Sequence, residues 1–149
     1  MRQEIAWVLV ADGQRARVLE RLSLAEQWQE LEAEAQQVFD PPSHALGTER
    51  PGRTQESVGG ARHAIEPRQD AHAARKVAFA RDLADRLEAA AGARRFARLI
   101  LVAPPAFLGH LREALGDATR QRLRGSLDLD LAKAPLAEIV ARLPEHRPA

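Results

Sequence analysis

The chain has 149 residues, of which 45% are apolar and 29% charged, and its formal net charge is +1. Those values predict a single globular domain and give no sign of a strong polyanion binder. The absence of cysteine excludes disulfides, thiolate metal sites and a cysteine nucleophile.

Ile5 to Ala11 is a continuous apolar run, rich enough in Val and Ile to predict a strand buried on both faces. No small-residue cleavage site follows it, and no run approaches the length that crosses a bilayer. A cytosolic protein without membrane insertion is therefore expected. Asp12-Gly13 reads as a hairpin turn in which glycine supplies positive φ. Arg15 to Leu22 reads as the returning strand, with Ala16 and Val18 on one face and Arg15, Arg17 and Arg21 on the other.

Residues 27–39 carry two conflicting signals. Their Glu, Ala and Gln favour helix by propensity. Glu30, Glu32 and Glu34 alternate with Leu31, Ala33 and Ala35, which is the period of a strand. Turning the chain near Leu24 and Ala25 sets Arg17 opposite Glu32, Arg15 opposite Glu34 and Val18 opposite Leu31. Cross-strand charge pairs of that kind contribute about 0.2–1 kcal/mol each, so a third strand is the favoured reading.

Asp40-Pro41-Pro42 ends it, because proline cannot donate to a ladder. A long loop over 40–67 follows, with no periodicity, and loops of that length are commonly functional or disordered. Residues 69–91 form a helix, with Ala73, Val77, Ala80, Leu83, Ala84 and Leu87 as its apolar stripe and Gly92 as its stop. Arg98 to Ala103 is a second buried strand, closed by Pro104-Pro105. Phe107, Leu108, Leu111 and Leu115 mark a helix ending at Gly116, and a short polar helix spans Asp117–Arg124. Leu127, Leu129 and Leu131 alternate with Asp128 and Asp130, which predicts a half-exposed strand. A last helix begins at Pro135 and buries Leu136, Ile139, Val140 and Leu143.

The expected fold is a single α/β domain over 1–143 with a frayed tail at 144–149. Its mixed five-stranded sheet has three antiparallel meander strands, then two parallel strands joined by crossover helices. This is the order of a ribonuclease H-like topology.

WVLVADGQRARVLE, LGTERPGR, SVGGARHAIEP and LILVAPPAFLGHLREAL together resemble the bacterial host-attachment protein family, described as required for attachment to host cells. The likeness covers roughly residues 5–143. More distantly, the order of strands, long glycine-bearing loop, helix and buried strand resembles the middle domain of archaeo-eukaryotic peptide-chain release factors. In that domain the loop carries Gly-Gly-Gln. Here Gly59-Gly60 match the glycines and Ala61 stands where the glutamine would be. A methyl group cannot orient water, so the resemblance implies the fold and a ribosome or tRNA partner, and argues against hydrolysis.

The candidate contact region is therefore the 47–66 loop, with Arg50, Arg53, Gly59, Gly60, Arg62 and His63. Its glycines let backbone approach a ribose or phosphate, and its arginines offer phosphate contacts that position without reading sequence. Gly47 to Asp70 holds four arginines and four acids, so charge alone does not make it a magnet. A second basic patch, Arg112, Arg120, Arg122 and Arg124, is either a phosphate site or a solvated helix face. The loop histidines lack dense metal-ligand spacing. Asp12, Asp82, Asp128 and Asp130 are explained by a turn and by wet faces, not by a two-metal nuclease centre. No cofactor motif is present. The leading expectation is a non-enzymatic binding module. Its alternatives are a residual peptidyl-tRNA or RNA hydrolase using His63 or a loop acid in the Gly59-Gly60 loop, and a direct adhesin.

Overall fold

The computed structural model describes residues 5–38 and 58–144, with side chains for 5–38 and 71–144. Strand β1 (Ala6–Ala11) is buried at every position, as its unbroken apolar run demands. It pairs antiparallel with β2 (Arg15–Arg21), from Ala6 opposite Arg21 to Ala11 opposite Ala16. The connection is held by Asp12, whose Oδ1 accepts from the backbone N–H of Gln14 (2.8 Å) and Arg15 (2.9 Å). No described glycine has positive φ. Gly13 instead leaves room for the Lys76 stem, since a Cβ there would lie 3.0 Å from Lys76 Cε.

The expected third strand is two short strands. β3 (Gln29–Glu30) pairs with β2 in the anticipated register, Leu19 opposite Glu30, and the Leu31 N–H donates to Val18 O at 2.8 Å. A 3-10 turn over Glu32–Glu34 then interrupts the ladder. β4 (Gln36–Gln37) resumes it in a shifted register, Arg15 opposite Gln37. The charge pairs move accordingly. Arg17 meets Glu30 rather than Glu32, and Glu34 reaches Arg95 at 2.9 Å rather than Arg15.

Helix α1 spans Val58–Gly92, 35 residues or about 52 Å at 1.5 Å per residue. It starts eleven residues before the expected 69, so the 58–67 part of the predicted loop is helical. The rest of that loop lies outside the described residues. Those residues show no apolar periodicity, and Pro67 does not stop the helix. A proline forfeits one helical bond, here to the carbonyl of residue 63, and Ala61, Ala64 and Glu66 keep the helical preference on its N-terminal side.

The helix ends in a Schellman turn. The Arg95 N–H donates to Ala90 O and the Arg94 N–H to Ala91 O, while Arg94 takes φ 60°. The left-handed position thus falls on Arg94, and Gly92 is still helical. β5 (Arg98–Val102) follows, parallel to β1. Helix α2 (Pro105–Ala114) begins with proline at its first position and buries Phe107, Leu108 and Leu111.

Helix α3 (Asp117–Arg122) passes directly into β6 (Leu123–Leu127), which pairs parallel with β5. The final strand is therefore Leu123–Leu127, not Leu127–Leu131. Hydrogen-bonding to β5, with Arg124 as the extra residue of a bulge, outranks the LDLDL alternation. Past Leu127 the chain is irregular, and Leu131 turns into the core at 6% exposure. Helix α4 (Leu136–Arg142) completes the fold.

The sheet order is β3-β2-β1-β5-β6, with β4 also on β2. This is the expected mixed sheet. Helices α1 and α2 cover one face through Trp7, Leu9, Val18, Leu83, Leu99 and Leu111. The other face buries Val8, Val10, Leu19 and Ile100 under Leu131, Ile139 and Leu143.

Candidate functional site

The buried stripe of α1 consists of Phe79, Ala80, Leu83, Ala84, Leu87, Ala90 and Ala91. Lys76 lies four residues before Ala80 and seven before Leu83, so helical spacing puts it on the same face. Over residues 71–78 only His72 and Val77 are even half-buried. The stripe that grips the sheet thus ends in a cation where the helix leaves the core. The Lys76 stem lies over the β1–β2 turn, as its close approach to Gly13 shows. His72 Nδ1 is 3.4 Å from Arg75 Nη1.

The residues predicted as a contact loop divide in two. Arg50 and Arg53 lie outside the described residues. Gly59, Gly60, Arg62 and His63 stand on the helical backbone at the start of α1, not in a loop. Glycine there serves no left-handed turn.

The secondary basic patch is largely committed to backbone. Arg120 donates from Nε to Leu115 O (3.0 Å) and from Nη2 to Arg112 O (2.7 Å), which ties α3 to the end of α2. Arg122 donates to Phe96 O (3.2 Å) and Ala118 O (2.8 Å), and Arg124 to Gln121 O (3.0 Å). Most of these bonds serve the ends of α2 and α3, where the last carbonyls lack intrahelical partners, and the one to Phe96 ties α3 to the connection before β5. On the same helix, Glu88 of α1 accepts from the N–H groups of Ala118 and Thr119 and from Thr119 Oγ1. Thr119's hydroxyl, then the two N–H groups, hold the Glu88 carboxyl below its ordinary value, and Arg122 adds to this.

A third region was not anticipated. Between the β2–β4 edge and the 132–135 turn lies an open cleft of about 790 Å³, lined by Arg15, Arg17, Gln36, Gln37, Lys133 and neighbouring small residues. Arg17 builds it. Its Nε and Nη2 fork onto both oxygens of Glu30 (2.8 and 2.9 Å), and its Nη1 donates to Ala132 O (3.0 Å) and Ala134 O (2.6 Å). The forked bond raises the Arg17 pKa and lowers that of Glu30. One guanidinium therefore bolts the Lys133 turn onto β2. Among the described residues no group of three or more His, Asp or Glu is placed to hold a metal ion, and no helix is long and apolar enough to cross a membrane.

Residues 7–143 match the model of the family described as "Protein required for attachment to host cells". The chain belongs to this family. No curated protein matches it. The host-attachment match runs from β1 to the residue after α4 and so takes in both α1 and the Arg17 cleft. It agrees with the resemblance read from the WVLVADG and LILVAPP segments. The release-factor likeness gains no support from it. The helical backbone at Gly59 and Gly60 also departs from the loop which that likeness implied.

Proposed function

We propose that this host-attachment family protein is a non-enzymatic, cytosolic binding module that engages ribosomal or transfer RNA through the N-terminal part of α1. Its effect on attachment would then be indirect, through gene expression. The supporting observation is the change in character of one helix face, from Phe79–Ala91 packed on the sheet to Lys76 beyond it. Lys76 lays its stem over the β1–β2 turn, and the residue is exposed, so its ammonium is available to an anionic partner. Residues 58–78 contain Arg62, Arg68, Arg75 and Lys76 against Glu66 and Asp70, an excess of positive charge that the 47–70 window hides. Phosphate contacts by such residues give sequence-independent, salt-sensitive affinity.

Ribosome co-sedimentation at low and moderate salt tests the reading. The protein is expected in the pellet at low salt and partly released at moderate salt. The Arg75→Glu/Lys76→Glu double variant is expected in the supernatant at both. Wild-type protein that stays in the supernatant under both conditions overturns the proposal.

A further inference from the structure

The charged side chains lining the Arg17 cleft are all cations: Arg15, Arg17 and Lys133. Arg17 is neutralised by Glu30, but the other two are not matched in the same way. The ion pairing of Arg15 among the described residues is a 4.0 Å approach of its Nε to Asp12 Oδ2, and its buried Nε has no hydrogen-bond partner. Lys133 is exposed. No carboxylate is among the described residues that line the cleft.

The backbone on either side of Lys133 is fixed, because the carbonyls of Ala132 and Ala134 both accept from the same guanidinium. A cation on so constrained a turn loses little backbone freedom when it binds an anion. Arg15 stands on the hydrogen-bonded strand β2, opposite Gln37 of β4. Two cations from rigid elements line the cleft, with Gln37 beside Arg15 on the same face of the sheet, and together they suit a compact dianion. Ala35 and Pro135 add apolar surface beside that polar end.

We propose that this cleft binds a phosphomonoester of a small organic molecule. Arg15 and Lys133 contact the phosphate, Gln37 hydrogen-bonds to it, and the organic part rests on the small apolar lining. A phosphomonoester carries about two negative charges at neutral pH, whereas a single carboxylate needs only one fork of donors. The cleft volume falls within the roughly 300–1,000 Å³ of small-molecule sites. The site shares no residue with α1, so its fate is independent of RNA binding.

The test is an NMR titration of the full chain with glycerol 3-phosphate, inorganic phosphate and glycerol. Both phosphate compounds are expected to shift the amides of Gln36, Gln37 and Lys133 saturably, the ester more tightly, and glycerol to shift none. Arg15→Gln and Lys133→Gln should each weaken the ester about tenfold, the loss of roughly 1.4 kcal/mol. If Arg15→Gln does not fold, Lys133→Gln on its exposed position carries the measurement alone. Unsaturable binding of the ester, equal shifts with glycerol, or wild-type affinity in Lys133→Gln overturns the assignment.

Discussion

The two parts of α1 obey different rules. From Phe79 to Gly92 the helix exists because the sheet needs a cover: Leu83 and Leu87 are 2% and 3% exposed, and Phe79 stacks on Phe107 of α2 at 5.9 Å between ring centroids. From residue 71 to 78 side chains are mostly in water, and helix formation there rests on propensity and on continuity with the packed part. One half is held by tertiary contact and is replaceable only by shape. The other is held locally and tolerates change in shape.

Truncation separates the two most strongly. Leu83→Ala removes a buried side chain from the packed half and should destabilise the protein by about 2–5 kcal/mol, read as a fall in the denaturant midpoint at unchanged slope. Val77→Ala, a half-buried position in the projecting part, should cost under about 1 kcal/mol. Equal losses at the two positions would mean that the projecting turns pack on something as firmly as Leu83 packs on the sheet.

That division was only half legible in the sequence. The stripe through Ala80, Leu83, Ala84 and Leu87 announced the packed half by periodicity, and the apolar runs announced β1 and β5. Ala73, counted in the same stripe, is exposed, because periodicity tells which face a residue occupies but not how far the neighbouring sheet extends. The third strand shows the same limit. Its register was readable up to Leu31 from alternation. In the 3-10 turn after it, Glu34 meets Arg95, a partner 61 residues away that no local pattern reveals. The cleft was invisible for a related reason: it is assembled from β2, β4 and the 132–135 turn, and Arg17 joins them through carbonyls, which every residue has.

A smaller effect sharpens the picture of the packed half. Glu88 sits on its flank and caps the N-terminus of α3, accepting from Ala118 and Thr119 at 2.7–3.1 Å. Gly116 exists to admit it, since a Cβ there would fall 2.5 Å from Glu88 Cδ. Because the folded carboxyl titrates below its unfolded value, its stabilisation is complete above the unfolded pKa and is lost as pH falls through the folded one. Glu88→Gln should destabilise by about 1 kcal/mol near neutral pH, the usual scale of a lost cap. The difference between variant and wild type should shrink as the solution is acidified through the carboxylate range. A difference that stays constant with pH would show that shape, not charge, makes the cap.

The smallest effect has the opposite sign. Arg94 closes α1 in the left-handed region at φ 60°, where a Cβ crowds the backbone and glycine does not. The Schellman bonds from Arg94 and Arg95 to Ala91 and Ala90 keep it there, and Arg95 in turn lies over the Trp7 ring at 4.9 Å. Relieving the strain should outweigh the extra freedom glycine gains in the unfolded chain. Arg94→Gly is therefore expected to raise stability by about 0.5–1 kcal/mol, seen as a higher denaturant midpoint. The gain should belong to the packed half alone and leave the outcome of the ribosome co-sedimentation test unchanged. A loss of stability would mean that the Arg94 side chain contributes more at the end of the helix than its backbone strain removes.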